Sequence, residues 1–164
     1  MEKSSKTHRP NSDDELFTKF KLFADLNKDE ATTLLEQSST VTYTAGERII
    51  SAGESGYCMY VILKGKVRVS AEPEGQEVEL AVLSPGDFFG EVALVDDGPR
   101  SADVTALEDC ELLTITRMTL GVLAGLQPGA AIQLLAAVGR SLVARLRHGN
   151  QKYIDLIVLS RHSA

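Results

Sequence analysis

The feature that most constrains this chain is the spacing of its glycines. Of the thirteen glycines in 164 residues, eight lie between positions 46 and 98, mostly 7 to 11 residues apart. Short runs rich in β-branched and aromatic residues lie between and after them, at 48–50, 57–63, 67–69, 78–83, 103–106 and 111–116. Short strands separated by regular turn signals are typical of an all-β sandwich or barrel. The sequence therefore predicts a mainly β fold for the middle of the chain.

Apolar residues at helical spacing precede the β region. They recur three and four positions apart, as in an amphipathic helix, at Leu16, Phe17, Phe20, Phe23 and Leu26. Asn27 then stands three residues before Glu30, which is the spacing of a capping box and predicts the start of a second helix. Two N-terminal helices are therefore expected.

A further helical pattern follows the β region. Residues 118–126 predict a short helix, and Pro128 stands where a first-turn proline opens a longer one. The longer helix has an apolar stripe at Ile132, Leu135, Val138, Leu142 and Leu146. This stripe either packs on the chain's own β domain or forms a homodimer through the C-terminal helix, since two-fold dimers are the commonest oligomers. We expect Gly149 and Asn150 to break or end the helix.

Composition narrows the classes of function. The chain is 43% hydrophobic with a net charge of −6, which suits one soluble domain. No segment reaches the roughly 18 consecutive apolar residues of a membrane span, and residues 1–14 lack the apolar run of a secretory signal, so we expect a cytoplasmic protein without membrane contact. Cys58 and Cys110 lie 52 positions apart without metal-ligand spacing, and we expect both to be buried thiols.

Histidine is missing from the stretch that carries the predicted fold. None lies between positions 9 and 147, which counts against a catalytic triad and against the histidine-bound metal of cupin-like enzymes. A mechanism that uses carboxylates alone stays open on these grounds. The expectation is a protein that is not an enzyme and holds no metal.

Residues 86–106 carry the candidate site. They combine a glycine turn, a short helical start near Gly90, an acid at Glu91, and Arg100 followed by the small residues Ser101 and Ala102. Free N–H groups at a helix start suit a phosphate, and a guanidinium offers a planar fork of donors that fits two phosphate oxygens. A carboxylate beside an anion needs a donor of its own, and a sugar hydroxyl is the natural one. The residues therefore predict a site for a phosphate joined to a sugar.

The same stretch resembles the phosphate-binding cassette of cyclic-nucleotide-binding domains. Residues 89–94, Phe-Gly-Glu-Val-Ala-Leu, match the family's signature, and Arg100-Ser101-Ala102 follows nine residues after the glutamate, as in the family. Upstream, residues 53–56 and 60–67 look like the family's glycine turn and its aromatic-aliphatic strand. The resemblance covers about residues 22–148. It implies a jelly-roll-like β-roll with N-terminal helices and a long C-terminal helix.

The resemblance also implies roles for single residues. Arg100 would pair with the cyclic phosphate, Glu91 would accept a hydrogen bond from the ribose 2′-hydroxyl, and backbone amides of residues 90–93 and 101 would complete the phosphate cradle. The base would be capped from the long helix at Ser141, Arg145 and Leu146. The implied ligand-binding set is Phe89, Gly90, Glu91, Val92, Ala93, Arg100 and Ser101, with Val69, Leu80 and Leu83 on the apolar side and Ser141 and Arg145 as the cap.

The implied function is a sensor that binds a cyclic nucleotide and reports it by moving its C-terminal helix. Ser101 stands where a threonine favours guanine in some family members, which favours cyclic AMP and leaves cyclic GMP open. The alternatives are a degenerate domain that binds proteins instead, and a fragment of a transcription regulator. The residues after 148 are too few for a DNA-binding domain, so we expect no DNA binding by this chain alone and an effector protein of unknown identity.

The expected organisation has three parts. Residues 1–13 would form a flexible tail, residues 14–148 the cyclic-nucleotide-binding domain with its C-terminal helix, and residues 149–164 a C-terminal extension.

Overall fold

The structure, a computed structural model, describes residues 19–162. In this part of the chain eight strands form two antiparallel sheets, with the orders β1-β8-β3-β6 and β2-β7-β4-β5. The strands are β1 (Ser39–Tyr43), β2 (Arg48–Ile50), β3 (Cys58–Lys64), β4 (Val67–Ala71), β5 (Val78–Leu83), β6 (Phe88–Phe89), β7 (Asp103–Ala106) and β8 (Cys110–Thr116). The prediction of a β-roll is confirmed.

Alternation along β3 explains why the sheets face both each other and a layer of helices. Tyr60 and Ile62 point between the two sheets, where they meet Phe89 and Leu112. Met59 and Val61 point to the opposite face of their sheet and pack under the helices. Because side chains on a strand alternate between faces, a continuous apolar run such as that of β3 is what a strand buried on both faces requires.

Three α-helices flank the sheets: α1 (Lys28–Glu36), α2 (Arg117–Leu126) and α3 (Pro128–His162). The predicted capping box opens α1, because the Asn27 side chain accepts from the amide of Glu30 at 3.0 Å while the Glu30 carboxylate accepts from the amide of Asn27 at 2.9 Å. The predicted amphipathic helix before it does not continue to Leu26: the described residues are helical at Lys19 and form a separate 3₁₀ turn at Lys21–Phe23. Its earlier positions, Leu16 and Phe17, and the predicted tail at 1–13 lie outside the described residues.

The long helix does not end where the sequence suggested. α3 runs through Gly149 and Asn150 without interruption to His162. The predicted boundary between residues 148 and 149 therefore falls inside one helix. A glycine in a helix interior costs only about 1 kcal/mol relative to alanine, which the surrounding helix formers offset.

The buried face of α3 is also turned relative to the predicted stripe. Its buried residues are Ala130, Ala131, Leu134, Ala137 and Val138, so the helix lies on the domain largely through small side chains. Of the predicted stripe only Val138 is buried, whereas Ile132 and Leu146 are 67% and 65% exposed. The stripe is real but faces outward along most of the helix.

By length and composition alone, α3 would also suit a membrane crossing. Its N-terminal part also packs on the domain through the buried residues just named.

Candidate functional site

A two-residue strand and a left-handed glycine place the centre of the candidate site. In β6, Phe88 packs under the helices, and Phe89 packs between the sheets against the ring of Tyr60, with centroids 5.2 Å apart. Gly90 then turns the chain with φ 74°, a region that favours glycine, and a 3₁₀ helix follows at Glu91–Leu94. The first amides of such a helix have no partner within it, so they are free to donate to an anion.

Arg100 lies across this turn and is held by backbone oxygens. Its Nη1 donates to the carbonyl of Gly90 at 2.9 Å and its Nη2 to the carbonyl of Cys58 at 2.8 Å. Among the ion pairs of residues 19–162, none joins Arg100 to a carboxylate. Two carbonyls orient the guanidinium without neutralising its charge, so the half-buried cation is poised for an anion.

Two groups next to Arg100 stay uncharged at neutral pH. Burial raises the pKa of the Cys58 thiol, although the Tyr60 hydroxyl and the charge of Arg100 oppose this effect. Burial likewise raises the pKa of Tyr60, and its neighbours Cys58 and Tyr43 add to the rise. Neither a thiolate nor a phenolate is therefore available to neutralise Arg100.

Glu91, the second predicted anchor, is paired with the long helix. Glu91 is buried, with 8% of its surface exposed, and its Oε1 accepts a hydrogen bond from Nη1 of Arg145 at 3.0 Å. Arg145 also donates through Nη2 to the carbonyl of Phe88 and lies over the Phe88 ring, 4.8 Å from its centroid. Arg145 of α3 therefore contacts both β6, through Phe88, and Glu91.

A cavity of about 370 Å³ brings most of the predicted residues together. Its wall includes the two anchors Glu91 and Arg100, and with them Phe89, Gly90, Ser101, Arg145, Val69, Leu80 and Leu83. The carboxylate and the guanidinium meet one apolar wall from the edge of the second sheet, an arrangement that suits a ligand with a charged end and a flat apolar end.

Four predicted residues do not line this cavity. Val92 is 44% exposed, and Ala93 is buried with its amide donating to the carbonyl of Gly90 at 3.2 Å, so that amide is used within the 3₁₀ turn. Ser141 lines a different cavity, between the N-terminal segment and α3. Leu146, expected in the cap, is exposed. The helix rotation that turns the predicted stripe outward also displaces this part of the expected cap.

The structure adds wall residues that the sequence pattern did not predict: Ile50, Ala81, Ala102 and Val104. Ala81 pairs with Val69 across β4 and β5 and lies two positions before Leu83, so period-2 alternation along β5 is the signal that could have found it. Ile50 and Val104 pair between β2 and β7, which are more than 50 positions apart, and no local pattern brings them to the site.

No group of three histidine, cysteine, aspartate or glutamate side chains in residues 19–162 is arranged to hold a metal ion. The described part of the site therefore consists of two arginines, Arg100 and Arg145, one carboxylate, the side chain of Ser101, backbone amides and apolar walls.

These features define a class: a two-sheet β-roll with a glycine-initiated turn, an arginine above it and a long helix against both. Comparison with known proteins agrees. The sequence profile of the cyclic nucleotide-binding domain matches residues 40–124. The chain is 30% identical over 145 residues to a CRP-like cAMP-activated global transcriptional regulator of Mycobacterium tuberculosis, an alignment that covers 88% of this chain. The chain belongs to the cyclic nucleotide-binding domain family.

Two solved structures share the fold. The catabolite activator protein of Thermus thermophilus has a TM-score of 0.73 and 34% identity, over 84% of this chain and 62% of that one. The regulatory domain of Toxoplasma gondii PKA, solved with cAMP, has a TM-score of 0.60 and 29% identity, over 66% of this chain and 42% of that one. The alignment with the mycobacterial regulator spans 63% of that protein's length.

Proposed function

We propose that this chain is a cyclic AMP sensor in which α3 reports whether the site is filled. The observation that carries the proposal is the Arg100 guanidinium, which is oriented by two carbonyls, lacks a carboxylate partner among the described ion pairs, and stands in one cavity with Glu91. A cyclic phosphate would supply the missing anion and its ribose the hydroxyl donor. The cAMP-bound relative from Toxoplasma and the cAMP-activated one from Mycobacterium support this choice of ligand.

The apolar wall supports a nucleotide rather than a bare phosphate. Val69, Leu80 and Leu83 face the two anchors across the cavity, and a purine ring buries apolar area where phosphate alone would not. Ser101 at the cavity wall favours adenine over guanine on the resemblance given above.

The reporting step rests on competition for Glu91. In the structure, the Glu91 carboxylate is paired with Arg145 of α3. A ribose hydroxyl that donates to the same carboxylate would weaken this pair and thereby change the free energy that holds α3 on the cassette. Such a difference between the filled and empty site is what a ligand needs in order to shift a two-state equilibrium.

The outward face of α3 indicates which protein partner the chain has. Exposed apolar residues recur along it at intervals of three, seven or eleven, at Ile132, Leu135, Leu146, Tyr153 and Leu156. This is the spacing of a two-helix seam, and we propose that the same helix of a second copy covers it. The absence of catalysis and the cytoplasmic location stay predictions.

Calorimetric titration of the purified chain with cyclic AMP and cyclic GMP tests the ligand. We expect cyclic AMP to bind more tightly, and Arg100→Ala to weaken it by about 100-fold because a desolvated phosphate loses its charged partner. Arg140→Ala is the matched control, because Arg140 pairs with Asp25 at 2.9 Å at the surface, away from this cavity. Unchanged affinity in Arg100→Ala would refute the site, and tighter binding of cyclic GMP would refute the choice of base.

A further inference from the structure

The flat guanidinium of Arg100 lies against a backbone that has no side chain. A methyl group added at Gly56 would overlap Nε, Cζ and Nη2 of Arg100, and these are its three nearest neighbours. The same guanidinium closes over Gly90, where a Cβ would stand 2.7 Å from Nη1. The cation is thus seated between two glycines, one from the turn before β3 and one from the turn after β6.

The two glycines are required for different reasons. Gly90 has a left-handed backbone at φ 74°, so any side chain there is strained whatever lies near it. Gly56 is not among the residues with positive φ, so the left-handed strain that excludes a side chain at Gly90 does not apply to it. The three heavy atoms nearest to a Cβ at position 56 all belong to the Arg100 side chain, at 2.0 to 2.4 Å, so Arg100 is the group that a side chain there meets first.

The turn that carries Gly56 is also fixed to the chain around Arg100. The amide of Gly53 donates to the carbonyl of Arg100 at 2.8 Å, and the amide of Arg100 donates to the carbonyl of Glu54 at 2.8 Å. Ser55 and Pro99 form an isolated antiparallel bridge. The backbones on both sides of the guanidinium are therefore coupled, so neither can withdraw easily to make room for a methyl group.

We infer that Gly56 is a positioning residue for the ligand's phosphate. The space left by its missing side chain, here called the seat, holds the Arg100 guanidinium in the orientation that the phosphate needs. The inference rests on the proposed function for its ligand, and its geometric part stands on the contacts of Gly56 and Arg100. A methyl group at position 56 moves the guanidinium off the carbonyls of Gly90 and Cys58 and away from the phosphate. Gly56 itself touches no ligand in this arrangement.

The test is a double-mutant cycle of Gly56→Ala and Arg100→Ala, read by cyclic AMP affinity and by thermal unfolding. We expect Gly56→Ala to weaken cyclic AMP binding by about 10- to 100-fold in the parent chain, since a charge-assisted contact is misplaced. In the Arg100→Ala background the same change should leave both the residual affinity and the melting temperature unaltered, because the overlapping group is gone. Gly139→Ala is the control for affinity, since Gly139 lies in α3 with open space where a Cβ would go, and its melting temperature should be equal to or above that of the parent.

Each outcome bears on one claim. Equal losses from Gly56→Ala with and without Arg100 would overturn the inference, because they would show that position 56 acts through other contacts. So would a Gly56→Ala chain that binds cyclic AMP like the parent.

If the parent binds neither nucleotide, the proposed function fails, but the double-mutant cycle read by thermal unfolding still tests whether Arg100 occupies the seat at Gly56. In that cycle Gly56→Ala should lower the melting temperature by about 3 °C or more only when Arg100 is present. If Gly56→Ala does not fold, the double variant should fold, and its failure would count against the seat.

Discussion

At the scale of single residues, the two charged groups of the site differ in whether a countercharge already neutralises them. Arg100 is held by carbonyl oxygens, which fix its direction without cancelling its charge, whereas Glu91 is already paired with a cation. An anion therefore meets an unsatisfied partner at Arg100, and a neutral hydroxyl donor meets a carboxylate that has to be shared. This asymmetry suits a phosphate and a sugar hydroxyl offered by one ligand.

Glu91 allows a test in which the ligand is altered together with the protein. Glu91→Ala should weaken cyclic AMP about tenfold, because the ribose 2′-hydroxyl loses its acceptor. The 2′-deoxy analogue has no such hydroxyl, so its affinity should be nearly the same for the parent and the variant. Calorimetry with both ligands on both proteins measures this difference, and Asp96→Ala, an exposed acid beyond the 3₁₀ turn, is the control. A similar loss for both ligands would show that Glu91 does not recognise the ribose.

The residues that the sequence predicted share a segment, and those it missed do not. Phe89 to Glu91 and Arg100 to Ser101 could be predicted because a turn, a helix start and an arginine at fixed spacing are local features. The carbonyl of Cys58 and the seat at Gly56 escaped prediction, because they belong to a strand and a turn that reach Arg100 only after the two sheets close. Contacts at such sequence distances leave no periodic trace.

At the scale of elements, the strands were better predicted than the helices. The glycine spacing located six strands to within one or two residues, but β1 and β6 were missed: β1 because it lies before Gly46, the first glycine of the chain, and β6 because two residues show no alternation. The face of α3 was misjudged because its contact surface is mostly alanine. A hydrophobic stripe marks the buried face only where large side chains make the contact.

The element on which signalling depends is α3, and Arg145 is its link to the cassette. Arg145→Ala should tighten cyclic AMP binding about fivefold, because the ribose no longer competes with a partly exposed ion pair worth about 1 kcal/mol for Glu91. Hydrogen exchange should show faster amide exchange near position 145 in the empty variant than in the empty parent. Arg140→Ala, on the same helix but paired with Asp25, is the control. Weaker binding of cyclic AMP to Arg145→Ala would mean that Arg145 contacts the ligand, and the competition would be refuted.

At the scale of the whole molecule, overall charge and local charge point in opposite directions. The chain carries a net charge of −6, yet the proposed ligand is an anion. Screening in physiological salt limits exposed charges to a range of about 8 Å, so distant carboxylates matter less at the site than Arg100 does. Hydrophobicity also differs between the whole and one local surface. The domain buries its own core, yet the outward face of α3 is apolar.

That outward face gives the last prediction, a dimer that forms along α3. A helix of 35 residues is about 50 Å long, enough for several successive turns of seam contacts between two copies. Sedimentation should show a dimer, and Leu146→Lys with Leu156→Lys should give monomers, because two lysines per helix would place like charges in an apolar seam. Gln133→Lys with Gln151→Lys adds the same charge on another face and should leave the dimer intact. Both double variants should still bind cyclic AMP, since none of the four positions lines the cavity. A parent chain that sediments as a monomer at every concentration would refute the seam, and the outward face of α3 would then need an occupant other than a second copy.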